Sequence, residues 1–397
     1  MSVHVQRHHI EQAEQIVRET RAHGGLAPVD LERFWADNAK ARSNVWAADC
    51  PQLPLGIGMS TECIFTELDQ DVDWVLMRDG GEKLRELTRR YNDKAEAVVG
   101  KRLRYEGAPE DPALSWPARK HLHDVFGARH EWTGESYWLH QAANTPDELR
   151  ALLDRVEARL DNLRAFILPE NWDDEKARLT GLGAKVPSYR SQRGPVTFAM
   201  SVYGVESLIY LLLDEPELAA RFSTLILRSI VGIADLLDRE GGRTPETRDR
   251  GWYWLDDNCC NLNAEMYRQF AYPIMKGVFE TYAPNPGDLR GQHSDSAMAH
   301  QLPALGELGL NSTNFGPTLT VNEIREHLPK AEIHGQLAPF TFSRNEEVNL
   351  VAECLRDFEM SRAHRGVVFT TAGSINYGSR LTGLRLIMAA IQRFGRY

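Results

Sequence analysis

The stretch that decides the fold is 291-GQHSDSAMAHQLPALGELGLNSTNFGP-317. It reads as the end of a strand, a polar loop, a helical run over residues 298–308, and a second strand, GLNSTNF. A strand, a helix and a strand in this order are typical of a βα unit in a parallel sheet. The loop also carries His293 and Asp295, a pair that suits a metal ion, a proton transfer or a polar substrate.

The same alternation recurs through the second half of the chain. Short apolar runs precede helical runs at VTFAMSV, GWYWL, DLRGQ, GLNSTNF, AEIHGQ and GVVFTT. Amphipathic helices are expected in residues 10–23, 28–42 and 80–98. Together these features predict an α/β fold, a (β/α)8 TIM-type barrel with additional N-terminal helices. A doubly wound open sheet is the alternative, but no GxGxxG motif follows an early strand.

The domain organisation follows from this pattern. We expect residues 1–100 to form a helical extension packed on the barrel, and residues 101–397 to form the barrel, which is best defined in 190–397. Residues 103–145 are rich in Trp, His and Pro and repeat with neither strand nor helix period, so we expect loops and short strands there. The pattern assigns no role to residues 101–145.

Composition narrows the function classes. The 397 residues carry a net charge of -10, which argues against nucleic acid and anionic membranes as partners. The most apolar run, SVYGVESLIYLLL, is too short to span a bilayer. Five Cys with no CxxC argue against a disulfide framework or a zinc ribbon, and the N-terminus lacks an apolar signal segment. We therefore expect a cytoplasmic protein that acts on a small molecule. The sequence leaves open whether the protein forms a homodimer.

Polar residues follow the predicted strands at the end where barrel enzymes place their active sites. His293 and Asp295 are the first candidates, as metal ligands or an acid/base pair. The alternative is a His that hydrogen-bonds a neighbouring loop and an Asp that caps the next helix. Asp257 is a further catalytic candidate, because only one of the adjacent Asp256 and Asp257 easily faces the barrel mouth. His334, at the end of a later strand, is the fourth catalytic candidate.

Five further residues are candidate substrate contacts. Arg190 and Arg193 could clamp a carboxylate, or form surface salt bridges instead. Asn258 and Gln336 offer amides, and Trp254 belongs to an aromatic group that lines a pocket or packs in the core. His121, His123 and His130 include a His-x-His spacing that is a weak metal signal in a predicted loop.

Several of these segments resemble a known family. They are GPVTFAM, LDDNCCNLNAEMYRQFAYPIMK, HSDSAMAHQLPALGELGLNSTNFG, IHGQLAP, GVVFTTAGSI and the terminal RFGRY. In order and spacing over residues 190–397 they resemble the uroporphyrinogen decarboxylase family, which also contains corrinoid-dependent methyltransferases. The resemblance implies a TIM-type barrel with extra N-terminal helices.

Departures from the family pattern bear on the chemistry. The decarboxylases carry an Arg-rich signature after the first strand and a His in the last strand's loop. Here the corresponding segments read PLGIGMSTECIF and TTAGSI, without either residue. The methyltransferases carry a zinc-binding His-x-Cys where this chain has His293-Ser294-Asp295, so the resemblance implies a harder zinc site made of nitrogen and oxygen donors.

The resemblance therefore implies a corrinoid-dependent methyltransferase with a metal-activated methyl donor or acceptor. Zinc would be held by His293 and Asp295. The corrinoid would arrive on a separate protein, because the chain contains no DxHxxG motif. One alternative is a metal-free decarboxylase of a tetrapyrrole or aromatic acid, in which Asp257 stabilises a developing cation. Another is a non-catalytic barrel that binds a metabolite or a corrinoid protein.

Overall fold

The computed structural model describes residues 4–107 and 111–397. The chain divides into two compact units. Unit 1 comprises Met1–Gly107, Ser294–Ala299 and Asn311–Tyr397, and unit 2 comprises Ala108–His293 and His300–Leu310. The predicted division at residue 100 stays a prediction.

Unit 1 begins with five helices: α1 (Arg7–Ala22), α2 (Leu31–Ser43), α3 (Glu62–Glu67), α4 (Trp74–Asp79) and α5 (Glu82–Val99). The Asp30 carboxylate accepts the Arg33 N–H at 3.1 Å and caps α2. Gly100, in the left-handed region, ends α5. The predicted N-terminal helices are confirmed, with boundaries shifted by up to three residues.

Unit 2 starts with the segment that has no sequence period. This segment holds a 3-10 turn (Pro112–Leu114), α6 (Leu122–Val125) and the strands β1 (Arg129–Trp132) and β2 (Tyr137–His140). Three helices follow it: α7 (Pro146–Asp161), α8 (Leu163–Ile167) and α9 (Trp172–Gly181). The two strands form an antiparallel hairpin. Thr145 Oγ1 accepts the Glu148 N–H at 3.2 Å and caps α7.

The parallel strands of unit 2 are β3 (Ser191–Arg193), β4 (Trp252–Leu255) and β5 (Arg290–Ser294), which pair in that order. Helices α10 (Pro195–Tyr203), α11 (Val205–Asp214) and α12 (Pro216–Glu240) follow β3; α13 (Ala264–Tyr282) follows β4, and α14 (Leu302–Glu307) follows β5. Trp252 and Trp254 point from β4 onto α13, where their rings lie 5.5 and 6.5 Å from those of Tyr282 and Phe279.

One predicted strand is wrong. The run VTFAMSV lies in α10, and the strand is the polar SQR that precedes it. A short apolar run that is buried on all sides carries no period, and α10 is buried along almost its whole length. Gly194 followed by Pro195 at the first helical position was the better signal of a helix start.

Unit 1 resumes with β6 (Ser312–Phe315), α15 (Val321–His327), β7 (Glu332–Leu337), α16 (Pro339–Ser343), α17 (Glu347–Ser361), β8 (Val367–Thr371) and α18 (Leu381–Phe394). β6, β7 and β8 pair in parallel in this order. The mixed α/β class with parallel strands is thus confirmed, whereas closure into an eight-stranded barrel stays a prediction.

Among the described residues, no single helix has both the length and the apolar composition to cross a bilayer. The pair α10 and α11 meets the criteria only when taken together, and it is bent by 101°.

Candidate functional site

Asp257 and His293 meet where two neighbouring strands of unit 2 end. Leu255 of β4 is the register partner of His293 on β5, and the Asp256 N–H donates to the His293 carbonyl at 2.9 Å. Asp257 then begins a 3-10 turn, and its Oδ1 lies 3.9 Å from His293 Nε2. The Asp257 side chain is half exposed and the His293 side chain is 18% exposed. Asp257 and His293, two separate catalytic candidates from the sequence, are therefore adjacent, and both side chains are partly exposed.

Asp295 follows His293 by two residues in the sequence and belongs to unit 1. Within unit 1 its carboxylate lies against Gly373, in the TTAGSI loop, where a Cβ would overlap Asp295 Oδ1. Gly373 also has a φ of +105°, a conformation that suits glycine. Glycine at 373 therefore leaves the space that the Asp295 carboxylate occupies.

Asp256 has a different role from Asp257. Its side chain is fully buried, and Oδ1 accepts the Thr197 N–H in the first turn of α10 at 2.8 Å. Burial raises the pKa of Asp256 to about 6, although the hydrogen bond from Thr197 opposes that rise. The Asn258 N–H donates to Thr197 Oγ1 at 2.9 Å. These bonds tie the turn that carries Asp257 to the start of α10, and they confirm that only one of the two Asp faces outward.

His334 and Gln336 lie on β7 in unit 1. His334 Nε2 is 3.1 Å from Glu332 Oε1, and this bond lowers the pKa of Glu332. Gln336 is fully buried and its side-chain amide donates to three backbone carbonyls, those of Phe315, Gly316 and Leu319. Gln336 thus supports the loop after β6, and its amide N–H groups are not directed at a substrate.

Two other predicted substrate contacts are structural instead. Arg190 donates to the Asp238 carboxylate and to the Asp249 and Tyr189 carbonyls, so its guanidinium is committed. Trp254 is fully buried in the core beside α13. The sequence left a pocket and the core as alternatives for Trp254, and the structure places its ring in the core.

Arg193 behaves differently from Arg190. It lines a cleft of about 300 Å³ in unit 2 together with His121, His123 and His130. The sequence signal for this group was the His-x-His spacing, which carried little weight because the surrounding segment has no period. The residues come together because α6 and β1 fold back beside the end of β3.

Comparison with known proteins gives the family. A sequence model described as uroporphyrinogen decarboxylase (URO-D) matches residues 177–394, which is more than half of the chain. The chain belongs to the uroporphyrinogen decarboxylase family. Membership of this family indicates an enzyme and confirms the resemblance seen in the sequence.

Two further comparisons complete this result. Among solved structures, a methyltransferase from Methanosarcina mazei is similar, with a TM-score of 0.49 and 15% sequence identity. The similarity covers 90% of this chain and 98% of that chain. No curated protein matches the chain.

Proposed function

We propose that this member of the uroporphyrinogen decarboxylase family transfers a methyl group. In this proposal Asp257, His293 and Asp295 hold a metal ion, and a corrinoid arrives on a separate protein. The observation that carries the proposal is the 3.9 Å separation of His293 Nε2 and Asp257 Oδ1 at adjacent strand ends, with Asp295 two residues further along.

The donor set fits zinc. Zinc accepts imidazole nitrogen and carboxylate oxygen at about 2.0–2.2 Å, so two ligands of a tetrahedral ion lie roughly 3.4 Å apart. The 3.9 Å between His293 and Asp257 is close to that spacing, and a small side-chain rotation would make up the difference. Three protein ligands leave one position for a substrate. A bound zinc would act as a Lewis acid that polarises an oxygen-linked methyl donor or its acceptor.

The chain's own residues hold these ligands in place. Pairing of β4 with β5 sets the backbone of His293, and the buried Asp256 fastens the turn that begins at Asp257. Gly373 leaves room for the Asp295 carboxylate. Asp257 and His293 are therefore held in place within unit 2, and preorganised ligands lose less conformational freedom when they bind an ion.

The arginines argue against a tetrapyrrole with several carboxylates as the substrate of the decarboxylase alternative. A substrate with several carboxylates needs several free cations. Arg190 is committed to Asp238, and Arg290 donates to the carbonyls of Ala283 and Leu308. Among the residues that the structure describes, Arg193 differs from Arg190 and Arg290 because its hydrogen bond goes to the Ser201 hydroxyl and not to a carboxylate or a backbone carbonyl.

Metal analysis tests the proposal directly. We expect about one zinc per purified chain, lost in His293→Ala and reduced in Asp257→Asn and Asp295→Asn. His140→Ala is the control, because His140 is an exposed residue of unit 2 that pairs with Glu131. Retention of zinc in His293→Ala would contradict the assigned site.

Activity separates the three functions. Formation of methylcobalamin from cob(I)alamin and a methyl donor, dependent on the metal, supports methyl transfer. A metal-free protein that releases CO2 from a carboxylated aromatic or tetrapyrrole is a decarboxylase. A chain without either activity that binds a corrinoid protein tightly is a binding module.

A further inference from the structure

A second group of polar residues in unit 2 lines a cleft that does not include the proposed metal ligands. The cleft at the carboxyl end of β3 has a volume of about 300 Å³, at the lower end of the range for small-molecule sites. Its apolar wall is made by Leu122, Leu139 and Phe198. Its polar wall is made by His121, His123, His130, Gln192 and Arg193.

The three imidazoles form a row. The ring centroids of His121 and His123 are 5.6 Å apart, and those of His123 and His130 are 5.1 Å apart. Partial burial lowers the pKa of His121 and of His123, although Asp124 beside them opposes the change. At neutral pH the rings of His121 and His123 are therefore neutral, and each of these two rings offers one N–H donor.

Arg193 adds an open positive charge. Its recorded polar contact is with Ser201 Oγ at 3.2 Å, and no carboxylate among the described residues lies within ion-pair distance of it. Arg119 is near His121, and its recorded side-chain contact is the Lys120 carbonyl at 3.4 Å. The negative groups on these elements are engaged: Asp124 with His123 and the His121 backbone, and Glu131 with Arg129 and His140.

The arrangement favours an anion over a metal ion. Among the described residues, three potential metal ligands within 4.8 Å of one another are not found in this cleft. Neutral imidazole donors beside an open guanidinium are instead the groups that bind a carboxylate. The apolar wall then covers the remainder of a small organic molecule.

We propose that this cleft binds the carboxylate of a small-molecule substrate, with Arg193 pairing to it, His123 and His130 donating to it, and Phe198 and Leu139 covering its apolar body. Register places the cleft near the proposed metal site, because Arg193 pairs with Leu255 and Leu255 pairs with His293. Two strand spacings put the Cα atoms of Arg193 and His293 roughly 10 Å apart. That the substrate extends from the cleft toward His293 rests on the proposed function, whereas binding of its carboxylate in the cleft is independent of that function.

Benzoate is a suitable probe, because it combines one carboxylate with a small apolar body. We expect the full chain to bind benzoate in a calorimetric or NMR titration, and benzyl alcohol to bind at least tenfold more weakly. Arg193→Gln should weaken benzoate binding at least tenfold, because a charge-assisted pair is lost. The benzoate affinity of Arg193→Lys should lie between those of the unsubstituted chain and Arg193→Gln, since lysine keeps the charge without the planar guanidinium.

Arg129→Gln is the matched control, because Arg129 is an exposed arginine of the same unit that pairs with Glu131. Its benzoate affinity should equal that of the unsubstituted chain. Equal affinity in Arg193→Gln, or no benzoate binding by the unsubstituted chain at millimolar concentration, would overturn the proposed cleft.

The two proposals fail separately. His293→Ala should lose zinc and keep its affinity for benzoate, whereas Arg193→Gln should keep zinc and lose benzoate. Weakened benzoate binding in Arg193→Gln with zinc retained in His293→Ala would leave the cleft intact and refute the metal site. Zinc loss in His293→Ala with benzoate affinity unchanged in Arg193→Gln would support the metal site and refute the cleft.

Discussion

The buried carboxylate of Asp256 should make the stability of the protein depend on pH. Burial raises its pKa from 3.8 to about 6 in the folded chain. A raised folded-state pKa means that folding favours the protonated form. The stabilising contribution of this group is therefore fully present below pH 3.8 and is lost as the pH rises through 6. A shift of about two units corresponds to about 3 kcal/mol.

Asp256→Asn isolates this effect. Asparagine keeps an oxygen that can accept the Thr197 N–H, but it does not titrate. Relative to the unsubstituted chain, the unfolding free energy of Asp256→Asn should therefore rise by about 3 kcal/mol between pH 4 and pH 8. Urea unfolding followed by tryptophan fluorescence at a series of pH values measures this difference.

Asp214→Asn is the control for loss of one negative charge, because Asp214 is exposed at the end of α11. A difference between Asp256→Asn and the unsubstituted chain that stays constant from pH 4 to pH 8 would refute the reasoning. It would mean that the hydrogen bond from Thr197 holds the carboxylate ionised despite its burial.

Two further predictions concern packing and the metal ligands. Trp254→Ala should lower the free energy of unfolding by about 3–5 kcal/mol, because it removes a fully buried ring, whereas Trp138→Ala, at a ring that is 63% exposed, should change it by about 0.5 kcal/mol or less. Urea unfolding compares the two, and equal losses would contradict the placement of Trp254. Gly373→Ala should lower zinc content, because its Cβ would displace the Asp295 carboxylate. Gly81→Ala has a similar φ of +98° with no atom within 4 Å of the added Cβ, so it should keep its zinc in the same elemental analysis.

Helices and strands of the second half could be predicted because hydrophobic period and short polar connections agree there. The expected helical run at 298–308 contains the 3-10 turn Ala299–Gln301 and α14. The exception, α10, is apolar on every side and so has no period to read. Its start was marked by Gly194 and Pro195, a local signal that outweighs composition.

The site could be predicted only in part. The rule that strand ends carry the chemistry located Asp257 and His293, and the structure brings them together. The rule could not separate Arg190 from Arg193, because both stand in one short segment, YRSQRGP. They differ in tertiary partners: Asp238, 48 residues away from Arg190, binds its guanidinium, and no such carboxylate reaches Arg193 among the described residues.

Polar residues at strand ends serve two purposes, and the neighbours Asp256 and Asp257 show why. The first turn of a helix such as α10 presents backbone N–H groups without partners inside the helix, and a buried helix start needs an acceptor from elsewhere. Asp256 supplies that acceptor, and the half-exposed Asp257 side chain lies beside His293. Asp256→Ala, which removes the acceptor, should therefore lower stability and zinc content together, whereas Asp257→Ala should lower zinc content alone. Polarity at a strand end thus indicates a candidate site, and burial decides which of its residues can face a ligand.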